Sequence, residues 1–280
     1  MPVWCTSRAG SAVFPPDQIA AWQELVCTPP ECLGITCTRW TLAALQQVEP
    51  VWARYSPSGL WRLLRAARIS YQRGRHYVHS PDPEYIRQRD AAWECVTAAR
   101  NHPDEVVTYY LDELSFYRQP TVAQAWHPIG QGQPLARRAH RSNIYHRVIG
   151  AMNAVTAQVV FRLADRTDVP FICSFLRELR SNHECKVQIN VILDNWYRVH
   201  NHPQVQETAS REQISLVYLP TYAPWLNRIE KLWRKAFQEV LHLHRYSDQW
   251  PELKERMRGF LCKFSNGSTD LLRYVGLSPD

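Results

Sequence analysis

Between Val106 and Val240 the spacing of apolar residues changes period repeatedly, and that alternation constrains the fold more than any other feature. Val106–Asp112 (V-V-T-Y-Y-L-D) is rich in β-branched and aromatic residues, as a strand is. Ile144–Ala154 and Ala157–Leu163 read as two further strands joined by a tight turn. Asp168–Asn182 reads as a helix, Val187–Asp194 as a strand, Pro203–Arg211 as a helix and Ile214–Tyr218 as a strand. Ile229, Leu232, Trp233, Ala236, Phe237 and Val240 then follow the i, i+3, i+4, i+7, i+8, i+11 stripe of an amphipathic helix. The segment W-P-E-L-K-E-R-M-R-G-F-L predicts a last helix. Three adjacent strands followed by alternating helix and strand predict an α/β domain with a mixed five-stranded sheet, in the order of a ribonuclease-H-like fold.

Three acids occupy telling places in this pattern. Asp112 and Asp194 each end an apolar run, and open α/β sheets place their ligands outside the carboxyl ends of strands. Side chains alternate faces along a strand. Asp194 therefore shares the mixed face of Gln188, Asn190 and Ile192 rather than the apolar face of Ile189, Val191 and Leu193. Glu113, next to Asp112, is expected on the opposite face from it. Glu230 falls in the first turn of its helix at the edge of the apolar stripe, beside Phe237. Lys231, Arg234 and Lys235 lie further round and suit a phosphate backbone passing through a cleft. Two carboxylates about 4 Å apart repel by roughly 4 kcal/mol at an effective dielectric near 20. Convergent acids therefore call for a cation. Mg²⁺ or Mn²⁺ prefers oxygen ligands, and two such ions can activate an attacking oxygen and stabilise a leaving one.

The preceding residues have a different character. Residues 1–36 hold one short helical pattern (Ile19, Trp22, Leu25, Val26) with no partner within its own segment. Residues 37–80 read as a small all-α helix-turn-helix module. Thr41 caps its first helix, and Ser56 with Pro57 starts the second. Arg62, Arg65 and Arg68 face away from Leu60, Leu63, Leu64 and Ala67, and Arg73 and Arg75 follow. No acid occurs between Pro50 and Pro81. That arginine run points to DNA contact, and five arginines on phosphates would give a log–log salt slope of roughly −4 to −5. Residues 81–102 read as a linker, H-S-P-D-P-E, and a helix, leaving 103–280 as the catalytic domain. A net charge of +7 suits an anionic partner. No apolar run is long enough to span a membrane, and eight scattered cysteines fit reduced thiols in the cytoplasm. Cys27, Cys32 and Cys37 lack zinc-pair spacing and are expected as small buried side chains.

Y-L-D-E-L-S-F-Y at 110–117 with A-W-H-P-I-G-Q-G-Q-P at 125–134 resembles the first-aspartate segment of DDE transposases, in the bacterial insertion-sequence branch of the Tc/mariner superfamily. V-I-L-D-N-W at 191–196 is similar to that family's second-aspartate strand. L-P-T-Y-A-P-W-L-N-R-I-E-K-L-W at 219–233 is similar to its glutamate motif, with Glu230 following Asp194 by 36 positions. R-W-T-L at 39–42 and S-P-D-P-E at 80–84 resemble its helix-turn-helix and linker.

The resemblance implies a catalytic and metal-binding triad of Asp112, Asp194 and Glu230, with Asn195 and Asn227 in support. It implies metal-dependent cleavage at transposon ends and strand transfer into target DNA by a homodimer in a synaptic complex on double-stranded DNA, associated with the nucleoid. His200 and His202 are expected to contact backbone or DNA rather than metal. Trp126 is expected to pack under the sheet edge, and the stretch around it has room for an edge hairpin. Family members carry a further helix-turn-helix of which residues 1–36 hold only a fragment. The other functional classes consistent with these residues are a non-transposing DNA-binding derivative and another ribonuclease-H-like nuclease.

Overall fold

The computed structural model describes residues 14–72, 79–128, 132–196 and 198–278. The chain divides into two compact units, Met1–His76 and Tyr77–Asp280.

The first unit holds α1 (Pro16–Cys27), α2 (Leu42–Val48) and α3 (Pro57–Ala66). Both expected caps form. Thr41 accepts a hydrogen bond from the Ala44 N–H and Ser56 from the Gly59 N–H, each satisfying a helix-end donor. Trp22 of α1 is buried against Trp52 and packs in one core with Leu45, Leu60, Leu63, Leu64 and Ala67. The first helix therefore finds its partner about thirty residues further along the chain. Helix α3 stops at Ala66, and Arg68 takes a left-handed backbone at φ 59°. Arg68 is thus exposed but off the helical face that carries Arg62 and Arg65, because the chain turns as soon as the apolar stripe ends at Ala67. Arg73 and Arg75 lie outside the described residues. Cys27 and Cys32 are exposed and Cys37 only partly covered, so none of the three is the buried side chain expected. Cys27 ends α1 and Cys32 sits in the short turn of 3-10 helix that follows, both facing away from the core that takes Leu25, Val26 and Trp40.

The second unit opens with α4 (Tyr85–Asn101) and continues through β1 (Val106–Tyr117), β2 (Tyr145–Asn153), β3 (Val159–Ala164), α5 (Val169–Ser181), β4 (Gln188–Leu193), α6 (Pro203–Arg211), β5 (Ile214–Tyr218), α7 (Ile229–Ala236), α8 (Trp250–Cys262) and α9 (Thr269–Val275). The strands form one mixed sheet in the order β3-β2-β1-β4-β5, with β1, β2 and β3 antiparallel and β4 and β5 parallel to β1. One apolar cluster packs α4, α7, α8 and α9 on the sheet face carrying Tyr110, Leu114, Phe116 and Ile192. A second packs α5 and α6 on the face carrying Tyr109, Leu111, Ile189, Val191 and Leu193. Residues of α9 leave too short a run for periodicity to reveal, and α9 is held by burial of Leu271, Leu272 and Val275.

Strand β1 is longer than the sequence pattern indicates. Its pairing with β2 runs from Tyr109↔Asn153 to Tyr117↔Tyr145, whereas its parallel pairing with β4 ends at Tyr110↔Ile192. Beyond that point β1 continues with an open side. The same register brings Asp112 level with Asp194 just past the end of β4. The stretch between β1 and β2 shows no hairpin among the described residues; its one ladder contact there is an isolated bridge, Thr121 to His242. Trp126 is fully exposed and lines a hollow with Leu135, Arg137 and Arg245 instead of packing under the sheet. A segment so rich in proline and glycine cannot build a ladder to cover the ring. The stripe read as one helix to Val240 divides into α7 and a wider π-turn, Phe237–Leu241. No described helix is long and apolar enough to cross a membrane.

Candidate active site

Asp112, Asp194 and Glu230, far apart in sequence, line one cleft of about 380 Å³ beside the middle of β1 and just past the carboxyl end of β4. Asn195, Trp196, Asn227 and the turn from Leu219 to Pro224 complete its wall.

Asp112 projects from β1 toward α7. Its Oδ2 accepts a hydrogen bond from Trp233 Nε1 at 2.9 Å. The indole can lie this close because Asp112 pairs with Gly150 across the ladder. A Cβ at Gly150 would stand 2.7 Å from the indole Cη2, inside van der Waals contact. Burial, then the charges of Glu230, Glu113 and Asp194, hold the Asp112 carboxyl well above the usual carboxylate range.

Glu230 sits in the first turn of α7. Its carboxyl is also raised, first by desolvation and then by Asp194, with Arg234 opposing. Asn227 fixes the start of this helix: its Nδ2 donates to the Leu111 carbonyl at 3.0 Å, one residue before Asp112.

Asp194 follows β4 and is largely exposed. It is bound by His200, whose Nδ1 lies 2.5 Å from Asp194 Oδ1. The other ring nitrogen, Nε2, lies 2.9 Å from Glu113 Oε1. Glu113 does point to the opposite sheet face from Asp112, and that is how it reaches His200. Burial works against charge on His200, but the hydrogen bonds and charges of Asp194 and Glu113 outweigh it and lift its pKa to about 10. His202 instead caps α6, accepting from the Gln204 N–H.

The cleft rim has a further support. The segment read as a linker is built into this unit: Ser80 Oγ donates to the Thr221 carbonyl at 2.6 Å, and Asp82 Oδ2 accepts from the Thr221 N–H at 3.0 Å. The bond from Thr221, with one from the Glu84 N–H, holds the Asp82 carboxyl below its ordinary value. Turn-type composition marks such a segment as irregular but says nothing of what it touches.

The cations are less uniform than expected. Lys231 Nζ donates to the Val275 carbonyl at the end of α9 and Lys235 pairs with Glu239, so both are spent on internal contacts. Arg234 is exposed and acts on Glu230. Asn195 Oδ1 makes one long contact, 3.5 Å from Asn201 Nδ2.

The chemistry of the donor set fits a hard divalent cation: three carboxylates share a cleft, Asp112 feels the charges of Glu230 and Asp194, and Glu230 feels that of Asp194. Among the described residues no group of three His, Cys, Asp or Glu side chains is arranged to hold a single ion as it stands.

The sequence from 107 to 254, more than half the chain, matches the family described as DDE superfamily endonuclease. The chain is 24% identical over 243 residues to the insertion element IS630 uncharacterized 39 kDa protein of Shigella sonnei, covering 85% of this chain and 68% of that one. The Mos1 mariner paired end complex with Mn superposes with a TM-score of 0.66 at 13% identity, covering 99% of this chain and 78% of that one. The Mos1 strand transfer complex gives a TM-score of 0.63 at 13% identity, covering 99% and 77%. These structural likenesses show the fold, a ribonuclease-H-like catalytic domain preceded by helices. With the family match over the residues that build the cleft, the chain belongs to the DDE superfamily endonucleases, beside insertion-element and mariner proteins.

Proposed function

We propose that this chain is a transposase that cleaves DNA at the ends of a mobile element and joins them to target DNA, with Asp112, Asp194 and Glu230 as its catalytic, metal-binding acids. The observation that carries this reading is the meeting of those three sequence-distant acids in one cleft of a DDE superfamily endonuclease. The similar solved structures include a Mos1 complex with Mn, a paired-end complex with a left transposon end and a strand transfer complex, which support a divalent cation, DNA ends and the joining step here.

A divalent cation bound by these acids, Mg²⁺ or Mn²⁺ and two ions in the full scheme, supplies Lewis-acid activation of the attacking oxygen and relief of charge on the leaving one. In cleavage, water attacks phosphorus, the P–O3′ bond breaks and a 3′-hydroxyl is released. In joining, that hydroxyl attacks a target phosphodiester and displaces its 3′-oxygen.

The chain's own residues place the acids. Trp233 orients Asp112, Asn227 ties the Glu230 helix to β1, and Asp82 and Ser80 hold the rim. Arg234 stands beside Glu230 and suits a phosphate. Residues 37–80 are assigned as the DNA-binding module, with Arg62 and Arg65 exposed on α3 as phosphate contacts. A homodimer in a synaptic complex is the assembly such a reaction needs to hold two ends.

The test is nicking of duplex DNA carrying the element's end sequence, with Mg²⁺ or Mn²⁺. Asp194→Asn is expected to lose at least about 10³-fold in rate, some 4 kcal/mol of transition-state stabilisation. Equal nicking by both proteins would sink the assigned acids. Replacing Arg62 is expected to lower the log–log salt slope of binding by about 1.

A further inference from the structure

His200 is fully buried, yet both its ring nitrogens face carboxylates, Asp194 on one side and Glu113 on the other. With a carboxylate oxygen against each nitrogen, neither is open to a metal. Its backbone is pinned as well. The His200 N–H donates to the Trp196 carbonyl at 2.9 Å, and Tyr218 Oη donates to the His200 carbonyl at 3.0 Å. Glu113 comes from the middle of the ladder between β1 and β2 and is only 10% exposed. Asp194, by contrast, lies past the last residue of β4 with its side chain 57% exposed. A carboxylate in that position has rotamer freedom to lose on ordering. The contacts therefore run from a rigid strand, through an immobile ring, to an acid whose carboxylate has no other hydrogen bond among the described residues.

We infer that Glu113 and His200 are positioning residues that set the Asp194 carboxylate. Strand β1 thus fixes two acids, Asp112 directly on one face and Asp194 through Glu113 and His200 from the other. The inference rests on the reading of Asp194 as a metal-binding acid. Residues that support metal-ligating side chains typically cost 10–100-fold in metal affinity when replaced.

The experiment is Mn²⁺ binding to the full chain by calorimetry, alongside nicking, with circular dichroism to verify folding. His200→Ala and Glu113→Ala are each expected to weaken Mn²⁺ binding by about 10–100-fold. The double variant is expected to bind no more weakly than His200→Ala, because one break already severs the connection. Glu113→Gln keeps an acceptor oxygen for Nε2 and is expected to stay close to the unmodified protein. Should His200→Ala fail to fold, Glu113→Ala against Glu113→Gln carries the same comparison. Unchanged Mn²⁺ affinity in a folded Glu113→Ala or His200→Ala protein would overturn the inference. Asp194→Asn separates the two readings. Its retaining both Mn²⁺ binding and nicking removes the metal-site assignment itself, whereas loss there with unchanged Glu113 and His200 variants removes only the positioning role.

Discussion

Asp112 and Asp194 stand level across the end of the parallel ladder, but they are mounted in opposite ways. Asp112 lies within β1, backbone-bonded to β2, with its carboxylate against a neutral indole and close to other acids. Asp194 lies outside its strand, open to solvent, and is tied to a buried imidazole that itself bridges to a second carboxylate. The first acid is held by packing and left electrostatically uncomfortable; the second is held by an ion-paired hydrogen bond. A cleft that needs several negative charges near one another can be built only where something rigid resists their repulsion. Here the sheet resists it at Asp112 and His200 at Asp194.

The comparison breaks most forcefully at Gly150. Gly150→Ala places a methyl group where the Trp233 ring lies, and overpacking of this kind costs about 1–3 kcal/mol. Melting should fall by several degrees at about 2–4 °C per kcal/mol for a unit of this size. Nicking should fall further than stability explains, because the indole leaves Asp112. Trp233→Phe separates the effects by keeping much of the ring and deleting the N–H. Activity equal to the unmodified protein in Trp233→Phe would show that packing alone, and not the hydrogen bond, matters.

The electrostatic half of the contrast predicts opposite signs. Asp112 has a folded pKa raised above its unfolded value. Below that unfolded value, about 3.9, both states are protonated and there is no penalty. As pH rises through it, the unfolded chain ionises while the folded one resists, so stability is lost with rising pH. Asp112→Asn should therefore melt higher than the unmodified protein at pH 7 in a chelator, and the gain should vanish near pH 3. Asp194→Asn should melt lower, because it weakens the bond to buried His200, by on the order of 1 kcal/mol given the exposure of Asp194. Shifts of the same sign in calorimetry would dissolve the distinction between the two mounts.

The smallest effect is expected at the rim. Asp82→Ala removes the acceptor for the Thr221 N–H and hydroxyl. A small loss of stability is expected from removing such bonds, with a few-fold rise in KM for DNA. An unchanged KM would mean that the rim turn keeps its shape without Asp82.

Much of this could be read in the residues. The strand and helix periods between Val106 and Val240 gave the layer order, since period 2 and period 3.6 are local properties of which face is buried. Alternation alone separated Glu113 from Asp112. The caps Thr41 and Ser56 were legible because a side-chain oxygen three residues ahead of a free N–H is a local arrangement. The extent of β1 was not legible: its second half is a strand because β2 pairs with it, and pairing is a property of two segments. Trp126 read as a core residue by type alone, and the chain around it provides no core. Lys231 and Lys235 read as cleft cations by helical angle, but α9 and Glu239 claim them.

The local pattern of the chain determined which face of its strand Asp112 would take, and that one acid would follow β4 and another begin α7, because side-chain direction follows from backbone period. Only the tertiary structure decided how those acids are held. Gly150 under Trp233, Asp82 on Thr221, and His200 between Glu113 and Asp194 are contacts between segments up to about 140 residues apart. Hydrogen bonds and close packing act over a few ångströms, so nothing in the order of residues marks such pairs before the sheet brings them together.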